Sequence, residues 1–429
     1  MRFCTRTLGC KVNQFETQAI ESILTSRGNM LLRPGEGCDV CIVNTCAVTA
    51  ESERKSRQAV RRMRKLEPDA LIAVCGCLSQ MASSAIEPLD ADLIGGTGDR
   101  QGFICEIENM ARGLKPKIIT DDPASRLVIE ELPPGGGGTK TRALLKIQDG
   151  CDNFCSFCIV PYVRGRVRSL PLSRVAEHAR RLRELEYREI IVTGIEISSY
   201  GKDLNGGLSL VDAVREICME APNARIRLGS LDPGALKEAF LRELSALENL
   251  CPHFHLSLQS GCDETLRRMG RKYNTSAVLE TLDTLRSIFP DCGVTADLIA
   301  GFPGETDEEF KQTMEFIGLA AFSDMHVFPY SPRPGTRAAD MPGQIEKKVR
   351  QERAGIAAAI ADGMARNFRI GQIGKTVGVL FESRRGGYWS GHSGNYLEVF
   401  VRDDVEKNSL HNVRITDVSD CKVWGELVD

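Results

Sequence analysis

A chain of 429 residues, 42% hydrophobic and 26% charged, has the composition of an ordinary globular protein, long enough for two or three domains that each bury a core. The formal net charge of −3 argues against a bulk polyanion binder, so any nucleic-acid contact must come from a local surface. No apolar run approaches the roughly 20 residues of a membrane span, and the start "MRFCTRTLGCKVNQFE" lacks a signal-peptide core, so a cytoplasmic protein is expected. In that reducing compartment the 16 cysteines read as metal ligands, redox groups or, like Cys218, small buried hydrophobes, and not as a disulfide framework.

Residues 1–100 alternate strand and helix signals. "DVCIVNTCAVT" and "DALIAVCGCLSQ" each read as a buried strand running into a loop, with a helix between them. That order makes a Rossmann-like βαβ unit with a parallel sheet. The intervening segment, "ESERKSRQAVRRMRKLE", carries seven basic residues: Arg54, Lys55, Arg57, Arg61, Arg62, Arg64 and Lys65. It is either a solvated helix face or a local phosphate-binding surface. Cys10, Cys46 and Cys77 fall at or just beyond strand ends, where open α/β sheets build their sites. Cys41 and Cys75 lie within the apolar strands and read as core.

"ELPPGGGGTKTR" is too rich in Pro and Gly for a regular element and reads as linker. Beyond it come six strand signals, "RALLKIQ", "EIIVTGIEI", "RIRLGSL", "HFHLSLQ", "VTADLIAGFP" and "DMHVFPYS", separated by helical patterns. This repeat predicts a barrel or partial (βα)6 barrel with its chemistry at the carboxyl ends of the strands. A long helix near residues 344–368 closes the region. The last 60 residues, strand-rich and broken by Gly, Asn and Asp, predict a small antiparallel β-barrel. The expected domains are residues 1–125, a linker over 126–142, the barrel over 143–369 and the small barrel over 370–429.

"QDGCDNFCSFCIVPYVRGR" places Cys151, Cys155 and Cys158 in a C-x3-C-x2-C pattern, three thiolates within eight residues. A closed zinc site would need a fourth ligand, and the nearest histidine is His178. Three thiolates can instead hold three irons of a cubane cluster and leave the fourth open to chelate a substrate.

This pattern after a first barrel strand, with Phe157 just before the last cysteine, resembles the radical S-adenosylmethionine (SAM) superfamily. The resemblance implies that the amino and carboxylate groups of SAM occupy the open iron. One electron from the cluster then splits the sulfonium and frees a 5′-deoxyadenosyl radical. By the same resemblance Gly194 and Glu196 in "VTGIEISS" meet SAM, although only one of the two usual glycines is present. Ser230 and Gln259 face the same cavity. "DLIAGFPGE" is similar to the strand motif beside adenine, or else is a turn requiring Gly301 and Pro303.

"LGCKVNQFETQ", "NTCAVT", "CGCLSQ", "CDNFCSFC", "HFHLSLQSGCDETLRRMGR", "GFPGETDEEF" and "FPYSPRPGTRAADMPGQI" follow the order of the methylthiotransferase family, a resemblance covering nearly the whole chain. It implies that Cys10, Cys46 and Cys77 ligate an auxiliary 4Fe–4S cluster, again with one iron open, and that the C-terminal barrel is a TRAM-like RNA-binding domain. It further implies two SAM per turnover, one donating methyl and one supplying the radical. The chemistry would be carried by the clusters and SAM, without a protein acid or base. Expected partners are the tRNA anticodon stem–loop and an electron donor such as flavodoxin or ferredoxin, with no membrane and a monomeric chain.

Lys11 and Val12 after the first cysteine look most like the branch acting on threonylcarbamoyladenosine at position 37 of tRNA, modifying C2. The isopentenyladenosine branch typically has Gln-Met there, and the branch acting on a ribosomal-protein aspartate has Pro-Lys. A non-catalytic iron–sulfur RNA-binding sensor is the alternative from another class. Arg54, Arg57, Arg61 and Arg62 fit a tRNA phosphate surface. Arg164, Arg166 and Arg168 in "VRGRVRS" either meet the substrate or pair with barrel carboxylates.

Overall fold

The computed structural model describes residues 1–82, 89–115, 119–135, 141–419 and 421–428; the Gly-rich part of the expected linker, residues 136–140, lies outside the described residues. The chain divides into two compact units. The first comprises residues 1–185, 193–210 and 331–339, the second 186–192, 211–330 and 340–429.

The first unit begins with β1 (Arg2–Thr7), α1 (Lys11–Ser26), β2 (Met30–Leu31), β3 (Val40–Thr45), α2 (Ala50–Leu66), β4 (Leu71–Gly76), α3 (Cys77–Ala82), β5 (Leu93–Ile94) and α4 (Arg100–Ala111). The five strands form one parallel sheet in the order β2-β1-β3-β4-β5. Its centre, β3 (VCIVNT), is buried at every residue, as a parallel strand covered on both faces must be. Phe103, Ile104 and Ile107 of α4 pack with Ile20 and Leu24 of α1 on one face. Ala59, Val60 and Met63 of α2 cover the other. Cys41 and Cys75 are fully buried in these strands. Helix α2 is capped by Thr49, whose side chain accepts from the Ser52 amide, and it places Glu51 and Glu53 in its first turn and Arg64 and Lys65 in its last. This order of charge suits the helix dipole. The unit continues through β6 (Arg142–Lys146), β7 (Gln148–Asp149), α5 (Val160–Arg164), β8 (Arg168–Ser169) and α6 (Leu172–Glu184). "RALLKIQ" is thus two strands, since β7 leaves the line of β6 to pair antiparallel with β8.

The second unit takes in most of β9 (Glu189–Thr193) and α7 (Leu210–Glu220), then β10 (Arg225–Leu228), β11 (Ser230–Leu231), α8 (Glu238–Ser245), β12 (His253–Gln259), α9 (Asp263–Met269), α10 (Thr275–Ile288), β13 (Gly293–Ala300), α11 (Asp307–Ala320), β14 (Asp324–Pro329) and α12 (Lys347–Ile370). Strand β9 pairs with β10, and β11-β12-β13-β14 form a second sheet, all parallel. "RIRLGSL" is interrupted at Gly229, dividing β10 from β11. Along β12 and β13 buried residues alternate with half-buried, mostly polar ones, so one face of this sheet packs on helices while the other presents side chains.

The chain ends in β15 (Thr376–Arg385), β16 (Tyr388–Ser393), β17 (Glu398–Val401), β18 (Leu410–Ser419) and β19 (Lys422–Leu427), a closed barrel in the order β15-β16-β17-β19-β18. Four of its pairings are antiparallel and one, β17 with β19, is parallel. Val379, Phe381, Val399, Val413 and Val423 fill it. The fold is therefore mixed α/β, with parallel sheets followed by a small, mainly antiparallel barrel, as the sequence predicts.

Candidate functional site

Strands β1, β3 and β4 are neighbours in the first sheet, and each runs at its carboxyl end into a cysteine. Cys10 precedes α1 as its N-cap, Cys46 follows β3 directly, and Cys77 opens α3 directly after β4. The three therefore share one edge of one sheet, the place where parallel α/β sheets present their loops. Glycine makes the approach possible. Gly9 has φ +97°, and a Cβ there would lie 2.9 Å from the Cys46 Cβ and 3.1 Å from its Sγ. The Cys46 amide donates to Ser56 Oγ at 3.0 Å, and that hydroxyl donates back to the Cys46 carbonyl at 3.1 Å. Cys10 is exposed, while Cys46 and Cys77 are buried, so the group is approached from the Cys10 side.

The second cysteine loop belongs to the same unit. Cys151 follows β7, its amide donating to the Gly165 carbonyl at 3.0 Å, and the Cys158 amide donates to the Cys155 carbonyl at 3.0 Å. The Arg337 guanidinium donates to the Phe154 carbonyl at 2.8 Å, and the Ala338 amide to that of Ser156 at 2.8 Å, so residues 337–338 brace the turn before Phe157. Gly150, just ahead of Cys151, has φ +72°, and a Cβ there would fall 1.8 Å from the Arg166 carbonyl oxygen. Gly150→Ala is expected to distort this loop at a cost of roughly 1–3 kcal/mol. Iron content after reconstitution, at unchanged helical circular dichroism, checks it: iron lost from one triad is the expected result, full loading the contrary one.

Gly194 and Glu196 lie beside this loop. The Ile147 amide donates to the Thr193 carbonyl at 3.0 Å, and the Glu196 amide donates to Gln148 Oε1 at 2.9 Å. A Cβ at Gly194 would lie 2.8 Å from that same Oε1. Gln148 in turn donates to the Gly150 carbonyl at 2.6 Å, coupling both segments through one buried amide. The Glu196 carboxylate accepts from the Ser198 amide at 3.1 Å.

Between the two cysteine groups lies a buried charge cluster. Glu16 of α1 accepts from Arg100 at 2.8 Å, Lys146 at 3.1 Å and Arg164 at 2.7 Å. Asp149 pairs with Lys146 at 2.6 Å and Arg164 at 3.3 Å. Arg164 also donates to Asn13 Oδ1 at 2.8 Å, and Asn13 donates to the Leu8 and Thr45 carbonyls, fastening the loops that lead to Cys10 and Cys46. Burial alone pushes the Glu16 carboxyl up, but Arg164, Lys146 and Arg100 together outweigh it and hold it well below the usual carboxylate range. Burial also raises the Cys46 thiol and takes Cys77 up to about 12 and Cys151 up to about 11. The Arg164 charge pulls Cys46 and Cys77 back down. A centre binding these sulfurs must displace their protons.

The arginines of "VRGRVRS" separate. Arg164 is only 1% exposed and committed to Glu16, Asp149 and Asn13, so of its two expected roles it takes the pairing with carboxylates and not the substrate contact. Arg168 is also buried, donating to the carbonyls of Arg164 and Arg166. Arg166 is exposed, near Asp152 at 3.4 Å and over the Phe154 ring. On α2, Arg54 pairs with Glu51 and Arg57 with Glu53, while Arg61 and Arg62 are exposed and make no ion pair among the described residues. Ser230 on β11 and Gln259, which ends β12 at φ +74°, belong to the second unit. Gly301, with φ +76°, donates to Glu305 Oε2 at 2.5 Å in a turn that a side chain would strain.

The sequence reading missed Asn13, Glu16, Lys146, Gln148 and Asp149. Asn13 and Glu16 did leave a signal, being polar residues among Val12, Phe15 and Ala19 on the buried face of α1.

Among the described residues, neither cysteine triad brings its sulfurs close enough to share one ion. Thiolates that bind different irons of a cluster stand farther apart than the ligands of a single metal, and a tight loop bearing three of them suits such a cluster.

Residues 145–317 match the radical SAM superfamily, and residues 2–96 match the uncharacterized protein family UPF0004. The chain is 35% identical to the threonylcarbamoyladenosine tRNA methylthiotransferase MtaB of Thermotoga maritima, over 96% of this chain and 94% of that protein. It is 34% identical to the protein of the same name from Bacillus subtilis, over 92% of this chain and 89% of that one. With the tRNA-2-methylthio-N(6)-dimethylallyladenosine synthase of Geobacillus kaustophilus it shares 33% identity, over 100% and 82%. Among solved structures, the radical SAM methyltransferase TsrM from Kitasatospora setae superposes with a TM-score of 0.57 at 15% identity, covering 77% of this chain and 76% of that one, a likeness of fold. The chain belongs to the methylthiotransferase family of radical SAM enzymes.

Proposed function

We propose that this enzyme places a methylthio group on C2 of N6-threonylcarbamoyladenosine at position 37 of tRNA. The observation that carries the reading is the pair of cysteine triads within one compact unit, joined by the Glu16–Arg164–Asp149 cluster. The substrate follows the two MtaB relatives at 34–35% identity. The isopentenyl-type alternative keeps a hold because a dimethylallyladenosine synthase stands at 33%.

A radical SAM fold takes SAM and a 4Fe–4S cluster. In this reading Cys151, Cys155 and Cys158 hold that cluster. Phe157, Gly194 and Glu196 position SAM beside it. Cys10, Cys46 and Cys77 hold a second 4Fe–4S cluster. Bound there, these groups supply a carbon radical and a sulfur donor for a C–H bond that no side chain here could deprotonate. The chain's own part is placement: Gln148 and Asn13 fix the loops, and Arg164 sets positive charge beside sulfurs that must be thiolates. Two SAM per turnover, a flavodoxin- or ferredoxin-type electron donor, a monomeric state, a cytoplasmic setting and the domain limits 1–125, 143–369 and 370–429 complete the proposal.

Arg61 and Arg62, with Arg54, Arg57 and Arg166, are the proposed phosphate contacts. The small barrel adds half-buried Tyr388, Phe400 and Trp424, with Lys422 Nζ 4.8 Å from the Tyr388 ring and Arg402 5.4 Å from that of Trp424. Such a mix of aromatic and cationic groups stacks unpaired bases. Replacing Arg61 and Arg62 together with Ala is expected to lower the slope of log affinity against log salt for tRNA by about 1.5. An unchanged slope removes α2 from the interface. To settle the substrate, reconstituted enzyme is given tRNA bearing either threonylcarbamoyl- or isopentenyladenosine. The reading expects methylthiolation of the first, and exclusive use of the second overturns it.

A further inference from the structure

The open face of the β11–β14 sheet carries a group outside the cysteine centres. His255 of β12, Asp297 of β13 and His326 of β14 stand on three consecutive parallel strands. His255 Nε2 lies 3.2 Å from Asp297 Oδ2, and His326 Nδ1 lies 3.3 Å from Asp297 Oδ1. One ligand atom from each residue falls within 4.8 Å of the other two. The side chains of His255 and Asp297 are 15% and 24% exposed, and that of His326 is 61% exposed, so the group is anchored at one end and open at the other.

Two details bear on what the group can hold. The two imidazoles meet different oxygens of the one carboxylate, at the long end of the range of N–H···O bonds, about 2.7–3.2 Å. Separations of this size are also those of neighbouring ligands around a tetrahedral ion, about 3.3 Å for bonds near 2.0–2.1 Å. The other ring nitrogen of His255 is held by Thr295 Oγ1 at 2.8 Å, the outer partner that fixes a ligating imidazole with its far nitrogen toward the metal.

We infer that His255, Asp297 and His326 form a mononuclear site for a divalent transition metal, separate from both cysteine triads. Two imidazoles and one carboxylate suit Zn²⁺, Fe²⁺ or Co²⁺ better than Mg²⁺ or Ca²⁺. Three protein ligands leave positions for water or for an oxygen donor of a bound molecule.

The test uses the full chain reconstituted anaerobically with iron and sulfide, so that its cluster cysteines are occupied, and titrated with Zn²⁺ against a chromophoric chelator. One equivalent is expected to bind. His326→Ala and Asp297→Asn should each weaken it by at least about 10-fold, with iron and sulfide contents unchanged. His326 is exposed, so its replacement leaves the fold intact and keeps the comparison valid if Asp297→Asn does not fold. Zinc binding by His326→Ala equal to that of wild type, or no equivalent bound by wild type, overturns the site and leaves a hydrogen-bond network only.

Discussion

Cys10→Ala enzyme is expected to lose methylthio transfer to tRNA entirely while still cleaving SAM to 5′-deoxyadenosine under reductant. Cys10 ends the loop after β1 and Cys151 opens the loop after β7, so the substitution touches one triad and leaves the other's backbone bonds in place. Being exposed, Cys10 adds little to the core, so the variant should fold. Iron per chain should fall from about eight to about four. Cys151→Ala should abolish both SAM cleavage and transfer. Loss of SAM cleavage in Cys10→Ala with its iron at the expected half would show that the triads do not act separately.

Glu16→Gln should destabilise the first unit by about 3–5 kcal/mol, because it leaves Arg100, Lys146 and Arg164 buried with Asp149 as the remaining carboxylate of the cluster. For a unit of this size that lowers Tm by roughly 10 °C. The pH dependence gives a second readout. Burial tends to raise both Glu16 and Asp149, but their cationic neighbours prevail and hold both below their ordinary values. Their stabilisation is therefore complete above the unfolded values of about 4.3 and 3.9 and is lost as pH falls through the lowered native ones. Wild type should lose stability below about pH 4–5, and Glu16→Gln should show a shallower acid limb. Thermal melts from pH 3 to 8 measure both; an unchanged Tm and acid limb would mean that the cluster contributes no net stability.

The placement of the cysteine loops was legible because its signals are local. C-x3-C-x2-C is complete within eight residues, and Cys10, Cys46 and Cys77 each follow a strand whose apolar run announces itself. The six strand–helix repeats were legible through their alternation, and the small barrel through its Gly- and Asn-broken strands. What joins the cysteine loops was not. Glu16 and Arg164 lie 148 positions apart, and no periodicity relates a polar residue on one helix to an arginine on another. For the same reason Arg164 and Arg166 looked alike in "VRGRVRS", although one is buried in an ion cluster and the other exposed. The His255–Asp297–His326 group was equally hidden, since three strands must pair in register before its members meet.

Methylthiolation of threonylcarbamoyladenosine in tRNA is the activity that this chain's relatives and cysteine triads point to. Mass spectrometry of tRNA nucleosides from a strain lacking the gene, with and without the wild-type chain restored, tests it most directly. The 2-methylthio derivative should vanish on deletion, leaving threonylcarbamoyladenosine in its place, and return with wild type but not with Cys10→Ala. An unchanged nucleoside profile in the deletion strain would contradict the claim.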